Sequence, residues 1–267
     1  MVTSKITSKA KNKPNSKPKR NRPERVNSIP ESVQSSRLLP SGNFSARRSV
    51  LCHGESLTGS GIFESRLWLS EMSVPAIDVA SDPGRLFIPG FVPTPQNIRH
   101  CNLGVKISDL AILSPGGGIG VNISGVCQNV TFENVLFHSL GIAARINTKS
   151  TVRNIQFRNC IFQNCGVNLV ARAMGEDSRI ESIQFIDCIS RYSKTHLVAK
   201  NYSLNHQIDG IFWDRGSIQM PMDGCLCELH GEGHAIRKVI FDSAVIRGPI
   251  SCKVTGAALS PEIIRSR

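Results

Sequence analysis

The chain lacks any long hydrophobic run. No stretch of its 267 residues approaches the roughly 18 apolar residues of a membrane span. The N-terminus has no apolar core of the length a secretory signal needs. These absences predict a protein with no membrane association and no visible export route. Acidic side chains are almost missing from the first fifty positions. Twelve Lys and Arg there face only Glu24 and Glu31, so about +10 of the net charge of +12 sits in that segment. Aromatics are also missing from it, apart from Phe44. The stretch "KITSKAKNKPNSKPKRNRPER" (Lys5 to Arg25) holds one Ile among repeated Lys, Pro and Ser. It cannot bury enough apolar surface to offset its ordering entropy. Residues 1–50 are therefore expected to form a disordered basic arm. An even cysteine count is missing too. Nine cysteines in a chain of this length exclude a small disulfide-stapled scaffold.

What the sequence does have is a period. Val130-Thr131-Phe132-Glu133-Asn134-Val135-Leu136-Phe137 returns 25 residues later as Ile155-Gln156-Phe157-Arg158-Asn159-Cys160-Ile161-Phe162. Copies begin at Val105, Val130, Ile155, Ile183, Ile211 and Val239, at spacings of 25, 25, 28, 28 and 28. Self-similarity at such a period marks a repeat architecture. Within each copy, V-x-F alternates as a strand, the next two residues turn, and a second short apolar stretch follows. A third begins after a few polar residues, as in Gly141-Ile142-Ala143-Ala144. The residue after the break is Asp109, Asn134, Asn159, Asp187, Arg215 or Ser243. Asn and Asp tolerate left-handed backbone and suit turns, and Asn134 and Asn159 are expected to bond to each other's backbones.

Three short strands in 25–28 residues leave no room for antiparallel hairpins. They fit one rung of a parallel β-helix, each strand pairing with its equivalent about 4.8 Å away. The leucine consensus of a leucine-rich repeat is absent. The column Ile107, Phe132, Phe157, Phe185, Trp213, Phe241 is expected to stack in the interior. Cys160 and Cys188 hold equivalent positions and are expected to be reduced packing residues.

The stretch "PAIDVASDPGRLFIPG" (Pro75 to Gly90) resembles the opening of pectate-lyase-like right-handed β-helices, a short capping helix followed by a glycine and a strand. The resemblance runs to about Val254. It implies an all-β, right-handed, single-stranded parallel β-helix of about 6–7 coils of 25–28 residues. It puts a capping helix at about Ser73 to Ser81 and a strand at Arg85 to Pro89. The expected divisions are a basic arm (1–50), a cap with the first strand (51–100), the coils (101–256) and a C-terminal tail (257–267). The superfold hosts lyases, hydrolases, esterases, phage tailspikes and non-catalytic proteins, so fold alone does not name an activity.

Candidate sites follow from the repeat. In this superfamily polysaccharide usually lies along the outer face of one sheet, and the third strand of each coil is the candidate. "IAAR", "VNLVAR" and "THLVAK" each end in Ala plus a base: Arg145, Arg172 and Lys200. Stacked about 5 Å apart, these cations repel, and a bound uronate or phosphate would stabilise them. The alternative is a solvated basic ridge. Asp214 and Asp242 are equivalent in successive coils, near the ~5 Å separation of a retaining glycosidase, but away from that sheet. Asp187 and Arg215 read as a ladder salt bridge. "NHQIDGIFW" resembles the "N-T-D-G-I" stretch of polygalacturonases and would make Asp209 catalytic. The second acidic pair of that motif is absent, and one carboxylate cannot be both acid and base. Cys225, Cys227, His230 and His234 offer four ligands of the right softness for zinc; the alternative is core cysteines, exposed histidines and no cofactor.

Lys/Arg-rich arms on a rigid core neutralise nucleic-acid phosphates without reading sequence, and this one resembles the arms of small RNA-virus structural proteins. Lys11, Lys13, Lys17, Lys19, Arg20, Arg22 and Arg25 would make the contacts; a targeting or spacer tail is the alternative. The expected location is the cytoplasm or a virion. Two function classes result. One is a non-catalytic structural or binding β-helix, viral by its arm, whose coil face meets an acidic polysaccharide or a protein partner, alone or as an oligomer. The other is a polysaccharide lyase or glycoside hydrolase. The basic arm, the missing signal and the incomplete acid set favour the first.

Overall fold

A computed structural model describes residues 27–28, 36–46, 49–51, 54–80, 102–175, 177–202, 207–231, 236–248 and 250–264. Among them every regular element is a strand, 25 in all, arranged in sheets of 17 and 8 strands with every pairing parallel. One coil shows the pattern. The strand Thr151–Arg158 is followed by the short strand Ile161–Gln163, and both lie in the larger sheet. The chain then turns at Gly166 into Val167–Ala173, in the smaller sheet. The next coil repeats this with Arg179–Ile186, Ile189–Arg191 and Thr195–Asn201.

The apolar column forms as the period requires. Phe132 pairs with Ile107 and Phe157, Phe157 with Phe185, Phe185 with Trp213 and Trp213 with Phe241. The rings of Phe132, Phe157, Phe185 and Trp213 stack at centroid separations of 4.7, 4.8 and 4.9 Å. A second stack, Phe137 on Phe162 at 5.0 Å, meets the first edge-on. Offset-stacked and edge-to-face pairs are the favourable aromatic geometries, so shape as well as burial fixes the register.

The break residues Asp109, Asn134, Asn159, Asp187, Arg215 and Ser243 all have φ between 52° and 60°. The expected left-handed turn is present in every copy. Its ladder differs from the expectation. Main-chain amides carry it, Asn159 N donating to Ile186 O and Asp187 N to Asp214 O at 3.0 Å each. The Asn134 side chain instead donates to the Asp109 carboxylate at 3.0 Å. At Gly216, one place later, an added Cβ would lie 2.0 Å from the Cys188 carbonyl oxygen. Only glycine fits there, because the coils approach so closely.

A second left-handed column stands just before each V-x-F: Asn129, Asn154, Ser182 and Lys238 at φ 57°, 54°, 55° and 50°, with Gly104 at 77° and Gly210 at 79°. It bends the long strand, so residues three apart, such as Val152 and Ile155, are both fully buried. Strict alternation would have put them on opposite faces.

The coil begins earlier and ends later than the sequence suggests. Gly42–Ala46 pairs with Ser65–Leu69, and Ser49–Leu51 pairs with Ile77–Ala80. Phe44, Ala46 and Leu51 lie in the core. Glu262–Ile264 pairs with Ile236–Asp242. A boundary at residue 50 thus cuts through a coil, and 257–267 holds a strand. The expected helix at Ser73 to Ser81 is not formed. Ile77–Ala80 is a strand, with Ile77 and Val79 buried against Val121 and Ile123. The reason is local: I-D-V alternates two β-branched residues about a polar one. Arg85 to Pro89 lies outside the described residues.

Candidate functional site

The outer face of the smaller sheet carries two columns of mostly polar side chains, the first interrupted by the buried Val170 and Val198. Ile77–Ala80, Ile119–Ser124, Ile142–Thr148, Val167–Ala173, Thr195–Asn201, Cys225–Gly231 and Cys252–Gly256 supply the strands. One column runs Asp78, Asn122, Arg145, Val170, Val198, Glu228, Lys253. The other runs Asn147, Arg172, Lys200, His230, Thr255.

This register corrects the expected cation stack. Arg172 and Lys200 are direct partners, but Arg145 pairs with Val170 and Asn147 takes the place opposite Arg172. The Ala-plus-base ending misaligned that strand by two residues. A shift of two keeps a side chain on the same face, so Arg145 remains beside Arg172 as a diagonal neighbour. Arg145 is held from the other side: its Nε donates to Asn122 Oδ1 at 2.8 Å, and Asn122 Nδ2 donates to Asp78 Oδ1 at 2.8 Å. Burial and the neighbouring Arg172 lower the Arg145 pKa, while Asp78 partly offsets them. Arg172 Nε is buried without a hydrogen-bond partner. Just past the strand ends, Met174 and Tyr202 are 37% and 45% exposed.

At the other end of the face, Glu228 accepts from Lys253 Nζ at 2.8 Å and lies 4.0 Å from His230 Nε2. His230 Nδ1 is 2.9 Å from Thr255 Oγ1. The Lys253 hydrogen bond, with Lys253, His230 and Lys200 as nearby positive groups, holds the Glu228 carboxyl below the usual range against some desolvation.

The expected zinc ligands do not converge. Cys227 is buried in the core, whereas His230, three residues on, is on the outer face beside Glu228. Odd spacings on a strand place side chains on opposite faces. Cys225 is also buried, its Sγ donating to the carbonyls of Cys227 and Ser251 at 3.2 and 3.4 Å. His234 lies outside the described residues. Among the described residues no group of three or more His, Cys, Asp or Glu could hold a metal ion. Cys160 and Cys188 are fully buried free thiols.

The three candidate acids sit on the other sheet. Asp214 and Asp242 are register partners, as the repeat demands. Asp214 lies 3.7 Å from Arg215 Nε, and Asp242 accepts from Ser243 Oγ at 2.9 Å. Arg215 also reaches Asp187 at 3.1 Å, the expected ladder pair; exposed on both sides, it contributes little stability. Asp209 stands 3.9 Å from Lys238 and accepts from Gln207 Nε2 at 3.3 Å. None of the three shares a face with the cation columns. Lys11, Lys13, Lys17, Lys19, Arg20, Arg22 and Arg25 lie outside the described residues. Among the described residues no helix is long and apolar enough to cross a membrane.

No protein-family model matches this sequence, and no curated protein matches it significantly. Several solved structures bear a distant likeness to it. The A-module of the mannuronan C-5 epimerase AlgE4 of Azotobacter vinelandii is 16% identical, with 80% of this chain and 67% of that one covered and a TM-score of 0.39. The ORF18 protein of Geobacillus virus E2 is 11% identical, with 88% and 54% covered and a TM-score of 0.43, so this chain spans about half of it. The catalytic domain of a GH87 α-1,3-glucanase is 11% identical, with 88% and 64% covered and a TM-score of 0.29. The fold is a parallel β-helix, every strand pairing with its equivalents in the neighbouring coils. At these scores the likeness carries no argument about activity.

Proposed function

We propose that this protein is a binding β-helix whose smaller-sheet face takes an acidic polysaccharide. The observation that carries this is the pair of adjacent cations Arg172 and Lys200, flanked by Arg145, with Arg172 Nε buried and unbonded. A buried donor left unpaired costs about 1–3 kcal/mol, and clustered cations repel. A carboxylate on the face would relieve the repulsion. The sheet spaces its rungs about 4.8 Å apart, which suits a linear polymer with repeating charges better than a single small anion. Tyr202 and Met174 offer apolar surface beside the column for sugar rings. Binding is favoured over cleavage because Asp209, Asp214 and Asp242 lie on another sheet, and Asp78 and Glu228 on this face are engaged by Asn122 and Lys253.

The test is titration with polygalacturonate, alginate and a neutral glucan. The uronates are expected to bind and the glucan not. Replacing Arg172 and Lys200 together by Ala should weaken uronate binding by about tenfold or more, since hydrogen bonds to charged groups contribute about 1.5–3 kcal/mol each. Equal binding of the neutral glucan would overturn the proposal. Release of shortened or unsaturated oligomers would replace binding by catalysis.

The arm carries a second reading. A net charge of about +10 in fifty residues supports sequence-independent contact with nucleic acid through the seven Lys and Arg named above. Affinity should fall steeply with salt as condensed counterions are released. The truncation must stop at residue 26, because Asn27–Ser28 pairs with Phe44–Ser45 in the coil. Loss of most of the binding and of its salt slope is expected. An unchanged slope would make the arm a spacer or an address.

A further inference from the structure

Among the described residues the smaller sheet ends on Cys252–Gly256, which is mostly exposed with no further strand of that set over it. Cys252 is directly opposite Cys227 on the preceding strand. In parallel strands, register partners point to the same face about 4.8 Å apart, within the Cα separations that disulfides span. Cys227 is fully buried and Cys252 is exposed, so one thiol is reachable and the other lies behind it. Cys160 and Cys188 also adjoin each other, but both are fully buried with coils on either side. Disulfides need Cβ atoms somewhat closer than a rung spacing. A terminal strand bonded on one side can make that adjustment, and an interior strand cannot.

We propose that Cys252 and Cys227 form a disulfide under peroxide, locking the last coil to the one before it. Peroxide is attacked by the Cys252 sulfur, which becomes a sulfenic acid while one water leaves. The Cys227 sulfur then attacks the Cys252 sulfur, and the sulfenic oxygen leaves as a second water. Two thiols and one hydrogen peroxide give one disulfide and two waters, the thiols losing two electrons and two protons. Cys252 is exposed and meets the oxidant first, so it is the point of entry, and the buried Cys227 opposite it is the resolving partner.

The experiment uses the full chain, reduced, freed of reductant and treated with hydrogen peroxide. Peptide mapping should find the segments containing Cys227 and Cys252 joined, with loss of the mass of two hydrogens. Thermal unfolding should shift up by several degrees and return on reduction, because a cross-link restricts the unfolded chain. Cys252→Ser and Cys227→Ser should each abolish the link, and Cys225→Ser should leave it. Three results would overturn the proposal: Cys252 ending as sulfinic acid, Cys252 joining two copies of the chain, or a link that leaves the unfolding temperature unchanged. Cys225→Ser, whose fold keeps the pair, guards against misreading a variant that simply fails to fold.

Discussion

Phe157→Asp is expected to abolish the cooperative fold. Phe157 is fully buried, with Phe132 at 4.7 Å on one side and Phe185 at 4.8 Å on the other, and with Phe137 and Phe162 edge-on. Truncating such a ring costs about 3–5 kcal/mol by itself. A carboxyl group with no partner adds several more, against a total stability of about 5–15 kcal/mol for an ordinary domain. A solenoid also passes its stability from neighbour to neighbour, so a failed rung in the middle uncouples the coils on either side. Phe157→Leu keeps the site apolar and should fold with a lower melting temperature. Circular dichroism and thermal unfolding of the two variants make the comparison. A Phe157→Asp protein that melts cooperatively near the native temperature would remove the buried stack from the account.

Acid should destabilise the protein through His196. This residue lies in the core, its Nδ1 2.7 Å from Asn168 Nδ2, and Asn168 also donates to Ser190 Oγ at 2.8 Å. The imidazole packs against Trp213 at 4.3 Å and near Phe185 and Phe241. Desolvation lowers its pKa from 6.5 to about 3. Above pH 6.5 it is neutral whether folded or unfolded, and pH has no effect through it. Between about 6.5 and about 3 the unfolded chain takes up a proton that the fold refuses. Stability then falls as pH falls, by about 1.4 kcal/mol per unit. Carboxylates such as Glu228 also lose favourable partners in acid, so the decisive quantity is a difference. His196→Leu resembles the next coil, where Leu226 is buried after Cys225 as His196 follows Thr195. Ser190 still accepts one hydrogen bond from the Asn168 amide nitrogen. From pH 6.5 to 4.5 the variant should lose about 2–3 kcal/mol less than the native chain, measured by denaturant titration at each pH. Parallel losses would mean that His196 accepts a proton inside the fold.

The sequence by itself determined the coil. A period of 25–28 residues, V-x-F alternation and a recurring Asn or Asp specify parallel rungs, the aromatic column and the left-handed turn, because each depends on residues close along the chain. It also placed the Asp187–Arg215 pair and the Asp214–Asp242 register, since equivalent positions in successive repeats must meet. The second turn column was equally local, but its occupants, Gly, Asn, Asn, Ser, Gly and Lys, share a backbone conformation rather than a chemistry. The tertiary structure alone decided what depends on strand register and facing. A shift of two residues moved Arg145 out of line with Arg172 and next to Asn122. A spacing of three put Cys227 inside and His230 outside. Residues 36–46 and 49–51, too short and varied to show the period, joined the stack because their apolar side chains complete its N-terminal coils. Register is set by the summed packing of whole strands, and no single motif within one strand carries that sum.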